Sequence, residues 1–168
     1  MSEARKLTGI TAAFSSGLLT GTGAETVYDT TVTIQFAIGG KMGTAKTAVT
    51  DGVTPTTDYN TSATFASQAL AAETGTVFVW GLTSGGTVKL MQGSVTAVKG
   101  GVTTTAGSFE VYPQFPVIPD DICPFAYTVV KTAPSASAWT IGTSNWNASG
   151  VSVAHVNISQ LPDRPQAS

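Results

Sequence analysis

Charge is what this chain has least of. Asp, Glu, Lys and Arg together make up 11% of its 168 residues, against about 25% in ordinary soluble domains. Its cations, Arg5, Lys6, Lys41, Lys46, Lys89, Lys99, Lys131 and Arg164, are scattered, and only Arg5 and Lys6 are adjacent. With no basic stripe to release counterions from a phosphate backbone, no nucleic-acid partner is expected. Cysteine is almost missing as well: Cys123 alone allows no intrachain disulfide and no thiolate cluster for zinc or iron–sulfur. Long apolar runs are absent. Mean hydropathy is +0.18, yet no run approaches the roughly 20 residues of a membrane helix, so no membrane partner is expected either. The start, Met-Ser-Glu-Ala-Arg-Lys, has a basic pair with no apolar stretch behind it. That does not read as a secretory leader, and folding in a cytoplasm is the expectation.

The catalytic vocabulary is thin. Histidine, the usual base beside a nucleophile, occurs once, as His155, on a segment where it reads as structural. The Gly142-Thr143-Ser144-Asn145-Trp146 segment approaches a nucleophile elbow but ends in tryptophan. Asp120-Asp121 is the one adjacent carboxylate pair, and it follows Pro119 in a proline-rich stretch. There it suits an Asx turn or a partner's cation better than glycoside cleavage. Asp51, Asp58 and Glu73 lack the alternating spacing of a calcium loop. Gly21-Thr22-Gly23 lacks the third glycine of a dinucleotide loop. These absences point away from an enzyme, and no cofactor, metal or catalytic residue is expected.

What fills the chain instead is Thr, Ser, Ala and Gly. A surface of this kind is polar but nearly uncharged, and it costs little to desolvate against another protein. At this length one domain is expected, burying roughly 70% of its unfolded surface. Residues 1–23 are rich in Gly, Ser and Thr, with Leu7, Ile10, Phe14, Leu18 and Leu19 spread among them, and read as an extended N-terminal arm, the competing reading being a frayed terminus with one short strand. Residues 24–168 read as a single β domain.

The plainest element is the hairpin from Thr76 to Gln92. Two runs rich in β-branched and aromatic residues flank Ser84-Gly85-Gly86, which supplies the backbone freedom of a tight turn. Neither face of Val77–Leu82 is polar, so that strand is expected to be covered on both sides. Thr26–Ile38 alternates as one long strand, turned by Gly39-Gly40 into a weaker edge strand over Lys41–Val49. Asp51–Asn60 reads as a loop, and Ser62–Ala72 as the one helix candidate, with Ser62 as its cap. Val95–Lys99 is a further strand. Four prolines, Pro113, Pro116, Pro119 and Pro124, make Tyr112–Pro124 a stiff connector. Phe125–Lys131, Ala138–Ile141 and Val151–Ile158 complete an all-β, antiparallel sandwich or barrel-like domain of about eight or nine strands. Within it, Trp139 and Trp146 with Asn145 and Asn147 form the one candidate ligand platform, a ring face flanked by amides. The competing reading makes Trp139 core and Trp146 a plug.

Several segments resemble a family of small virion proteins of tailed bacteriophages. They are Val77-Phe78-Val79-Trp80-Gly81-Leu82, Gln92-Gly93, Pro113 to Asp121, Cys123-Pro124-Phe125-Ala126-Tyr127, Asn145 to Gly150, and Leu161-Pro162-Asp163-Arg164-Pro165-Gln166. The resemblance spans roughly Val77 to Gln166, and these motifs carry no catalytic role. It implies a structural protein of the head, a capsid decoration (cement) protein assembled in the host cytoplasm. The implied partners are copies of itself, as a homotrimer, and the major capsid protein. The alternative from another class is a tail or head-fibre module that binds a host glycan through Trp146, Asn145 and Asn147.

Overall fold

β-branched and aromatic residues crowd two stretches of the chain, and these become its longest strands, β7 (Thr74–Thr83) and β11 (Ile122–Thr132). The computed structural model, which describes residues 9–15, 19–21 and 23–165, pairs them antiparallel from Thr83 against Ile122 to Gly75 against Lys131. Strand β12 (Val151–Asn157) flanks β11. The other edge of β7 is shared: β8 (Val88–Gln92) takes Phe78–Leu82, and β9 (Thr96–Lys99) takes Thr74–Gly75. The short β10 (Ser108–Phe109) extends β9, completing a six-stranded sheet.

Two three-stranded sheets flank it. One joins β1 (Ala12–Ala13), β4 (Phe36–Ile38) and β5 (Lys41–Met42); the other joins β2 (Leu19–Thr20), β3 (Tyr28–Thr30) and β6 (Val49–Gly52). Every ladder between these strands is antiparallel, so the fold is an all-β sandwich with barrel-like curl.

Period-two alternation divides β7 between two cores. Phe78, Trp80 and Leu82 enter one core, against Leu19, Tyr28, Ile34 and Phe36 from the small sheets and against Phe65, Trp139 and Trp146. Val77 and Val79 enter the other, with Ile122, Tyr127 and Val129, which Phe115, Ile118 and Leu161 cover. The proline-rich connector therefore acts as the lid of the second core, and β7 is buried on both faces, as its doubly apolar sequence predicts.

Several local expectations shift. Thr26–Ile38 is two strands in different sheets, broken at Thr31 and Val32, where the chain crosses from one small sheet to the other. The alternation survives the break because Thr30, Ile34 and Phe36 still face inward, while Val32 at the crossing is 39% exposed. Lys41–Val49 holds β5, a Lys46 bridge to Ile34 and, at Val49, the first residue of β6, in which Asp51, expected in a loop, also lies. The helix candidate shrinks to a 3-10 turn at Phe65–Gln68 whose cap position is Thr64, not Ser62, and which has no side-chain cap bond. Ala138–Ile141 is not a strand. Trp139 exchanges both backbone hydrogen bonds with Leu70 alone, so its apolar signal came from core burial rather than from a ladder. Pro124 lies inside β11 instead of opening it, next to a register slip before Ala126. β12 pairs β11 only from Ala126 onward, so the missing proline N–H falls where β11 has a single ladder neighbour.

Of the expected arm, residues 1–8, 16–18 and 22 lie outside the described residues, Leu7 and Leu18 among them. The described remainder folds onto its own domain. β1 pairs β4, β2 pairs β3, and the Ala13 N–H donates to the Ser159 carbonyl at 3.2 Å.

Candidate functional site

The loop between Gly142 and Gly150 carries Asn145, Trp146 and Asn147 and packs Trp146 beside Trp139, but with the ring turned inward. Trp146 is 3% exposed and Trp139 1%, with centroids 5.8 Å apart. The Trp146 indole N–H donates to the Val27 carbonyl at 2.6 Å, and that of Trp139 to the Asn145 carbonyl at 3.0 Å. The far side of Trp146 meets His155 edge-on at 5.2 Å. With Trp139 on one side and His155 on the other, no broad ring face is left for a sugar to stack on. Asn145 and Asn147 are exposed, and Asn147 borders a cleft of about 480 Å³ shared with Gly21, Gly23, Thr105 and Val153.

His155 sits at the half-buried end of a hydrogen-bonded chain that starts in the core. The Trp80 indole N–H donates to Thr128 Oγ1 at 2.8 Å; Thr128 Oγ1 lies 2.8 Å from His155 Nδ1, and His155 Nε2 lies 3.0 Å from the Gly21 carbonyl oxygen. A carbonyl only accepts, so Nε2 carries the proton, and bare Nδ1 accepts from the Thr128 hydroxyl. Every group in the chain is then satisfied with a neutral ring. Burial pushes the imidazole pKa below its ordinary value, and the Gly21 carbonyl opposes that only in part. Both ring nitrogens are engaged in holding the fold together.

Asp120 and Asp121 lie apart from these groups, on the connector side of the central sheet. Asp121 Oδ2 accepts from the Tyr59 hydroxyl at 2.7 Å, a bond that raises the phenol pKa. Asn60 Nδ2 donates to the Val117 carbonyl at 2.8 Å, so the loop carrying Tyr59 and Asn60 fastens the connector. Asp120 borders an apolar groove of about 480 Å³ lined by Ile118, Pro119, Ile122 and Leu161.

Two residues that matter structurally escaped the sequence reading. Buried Asp58 accepts from the backbone N–H groups of Asn60 and Thr61 on Oδ1 and of Gln92 on Oδ2, clasping the 58–61 turn to β8. Its signal was legible: Asp58-Tyr59-Asn60 is an Asx-turn pattern. Thr128, the hub between Trp80 and His155, gave no signal, because a threonine in an apolar strand looks like any other.

Among the described residues no group of three or more His, Cys, Asp or Glu side chains converges as a metal site, and no helix is long and apolar enough to cross a membrane. The outer surface does carry apolar side chains. On the β1–β4–β5 sheet and its flanks Ile10, Phe14 and Met42 are 51%, 59% and 64% exposed, and on the connector Val117 is 83% exposed. No protein-family model, no curated protein and no solved structure matches this chain.

Proposed function

We propose that the chain is a structural protein of a tailed-bacteriophage virion, a decoration protein that binds the major capsid protein shell and stabilises the head. The observation that carries this reading is the exposed apolar group Ile10, Phe14 and Met42 on a small sheet of a charge-poor molecule. Apolar side chains in a weakly charged surround are what a docking face needs, because their burial is favourable and few ions lose hydration. The resemblance over Val77–Gln166 points the same way. On this reading the chain works as a homotrimer on the capsid surface, needs no cofactor, and carries no active site.

The test is co-sedimentation of the purified protein with shells assembled from the major capsid protein. Saturable binding that raises the temperature of shell disassembly is expected. Shells that sediment bare at micromolar protein would overturn the proposal.

A further inference from the structure

The one histidine lies where the N-terminal segment meets the sheet edge, and its bonds join the two. The ladder phase of β12 follows from one contact: the Ile158 N–H donates to the Phe125 carbonyl at 3.0 Å. In an antiparallel pair alternate residues bond the same neighbour. Even-numbered residues of β12 therefore bond β11, and Val153, His155 and Asn157 turn their N–H and C=O groups to the outer edge. Among the described residues the N-terminal segment does not bond those backbone groups; it is tied to side chains that stand out of the sheet plane: Asn157 Oδ1 accepts the Leu19 N–H at 2.6 Å, and His155 Nε2 bonds the Gly21 carbonyl at 3.0 Å.

We infer that His155 is a pH-operated latch: neutral, it holds Leu19–Gly21 against the side chains of β12, and protonated, it lets that segment go. This goes beyond the decoration reading and does not depend on it. Protonation at Nδ1 removes the acceptor that the Thr128 hydroxyl has among the described residues, since Thr128 Oγ1 already receives the Trp80 N–H. Thr128 is 0% exposed, so its O–H is left without water, next to a newly buried charge. Among the described residues no carboxylate is bonded to the ring to offset that charge. β7, β12 and the 142–150 loop contain no charged residue. On β11 the titratable side chains are Cys123 at the far end, and Tyr127 and Lys131, which by strand alternation point to the opposite face. Among the described residues of the arm and β3 the titratable ones are Glu25, whose carbonyl accepts the Trp146 backbone N–H, and Tyr28 and Asp29, the latter accepting from the Asp51 N–H. The charged ring is relieved by turning out to water, which breaks its bond to the Gly21 carbonyl and frees the segment it holds.

The sign follows from linkage. A buried histidine held neutral contributes stability above its unfolded value of about 6.5, and that contribution is lost as pH falls below it. The experiment is amide hydrogen exchange on the whole protein at pH 7.5 and 5.0, read as protection factors, alongside an NMR titration of His155. Protection of Leu19, Thr20 and Gly21 should fall by up to about tenfold per pH unit below about 6.5, while amides of the β7–β11 ladder keep theirs. His155→Gln, which can still donate to Gly21 and accept from Thr128, should remove the pH dependence. Arm protection that does not change with pH, or that falls together with the β7–β11 amides, overturns the latch, as does an unchanged pH dependence in His155→Gln. Should that variant not fold, the arm-against-ladder comparison in the natural sequence decides alone.

Discussion

At the scale of the residue, burial decides what each candidate side chain can do. Trp146 sits in a loop flanked by asparagines, the setting of a sugar platform, and is instead enclosed by Trp139, His155 and its bond to Val27. Trp146→Ala should therefore cost about 3–5 kcal/mol of stability in urea unfolding, a penalty far above that of removing a surface ring. Cys123 behaves likewise. Fully buried, its thiol is pushed up to about 11 by desolvation, so the thiolate is scarce at any ordinary pH. Iodoacetamide at pH 8 should leave the folded protein unmodified and label Cys123 only once denaturant unfolds it. Rapid labelling of the native state would mean that this end of β11 opens.

At the scale of the element, local sequence spoke clearly where one strand meets one demand and poorly where neighbours share the decision. The β7–β8 hairpin was legible because both flanking runs are apolar and its turn holds glycine, with Gly86 at φ 76°. A Cβ there would stand 2.7 Å from the Thr44 carbonyl oxygen, so the crossing chain also demands glycine. The Gly39-Gly40 turn was equally readable, both residues lying at positive φ. The split of Thr26–Ile38 was not, because alternation reports which side faces the core and says nothing of which strand lies alongside. Trp139 and Ile141 misled for the same reason: apolar residues that plug a core imitate a strand. Of the candidate site, the sequence allows Trp139 and Trp146 a place in the core beside the platform reading; the polar chain through Thr128 is invisible in it because its members lie far apart in sequence. The clasp by Asp58 is the element-scale feature most open to attack. Asp58→Asn turns an acceptor into a donor facing a backbone N–H and should lower stability by about 1–3 kcal/mol, with the loss of protection in hydrogen exchange centred on residues 58–61 and β8.

At the scale of the whole molecule, the two faces of the central sheet are covered by different materials: two small sheets on one side, and on the other a proline-rich strap fastened through Tyr59, Asn60 and Asp121. The exposed apolar side chains of the β1–β4–β5 region lie outside both cores and contribute little to folding. Phe14→Asp should therefore unfold within about 0.5 kcal/mol of the natural sequence while abolishing co-sedimentation with capsid shells. Retained binding would move the docking face elsewhere on the molecule.

Gly9 and Leu161 border the same groove, and Ala13 is bonded to Ser159, so both described ends of the polypeptide leave from one spot. A circular permutant that joins them through a few glycines and opens the exposed turn at Thr103-Thr104 would preserve every strand pairing in the molecule. The first and last stretches of the described residues thus share one side of the molecule.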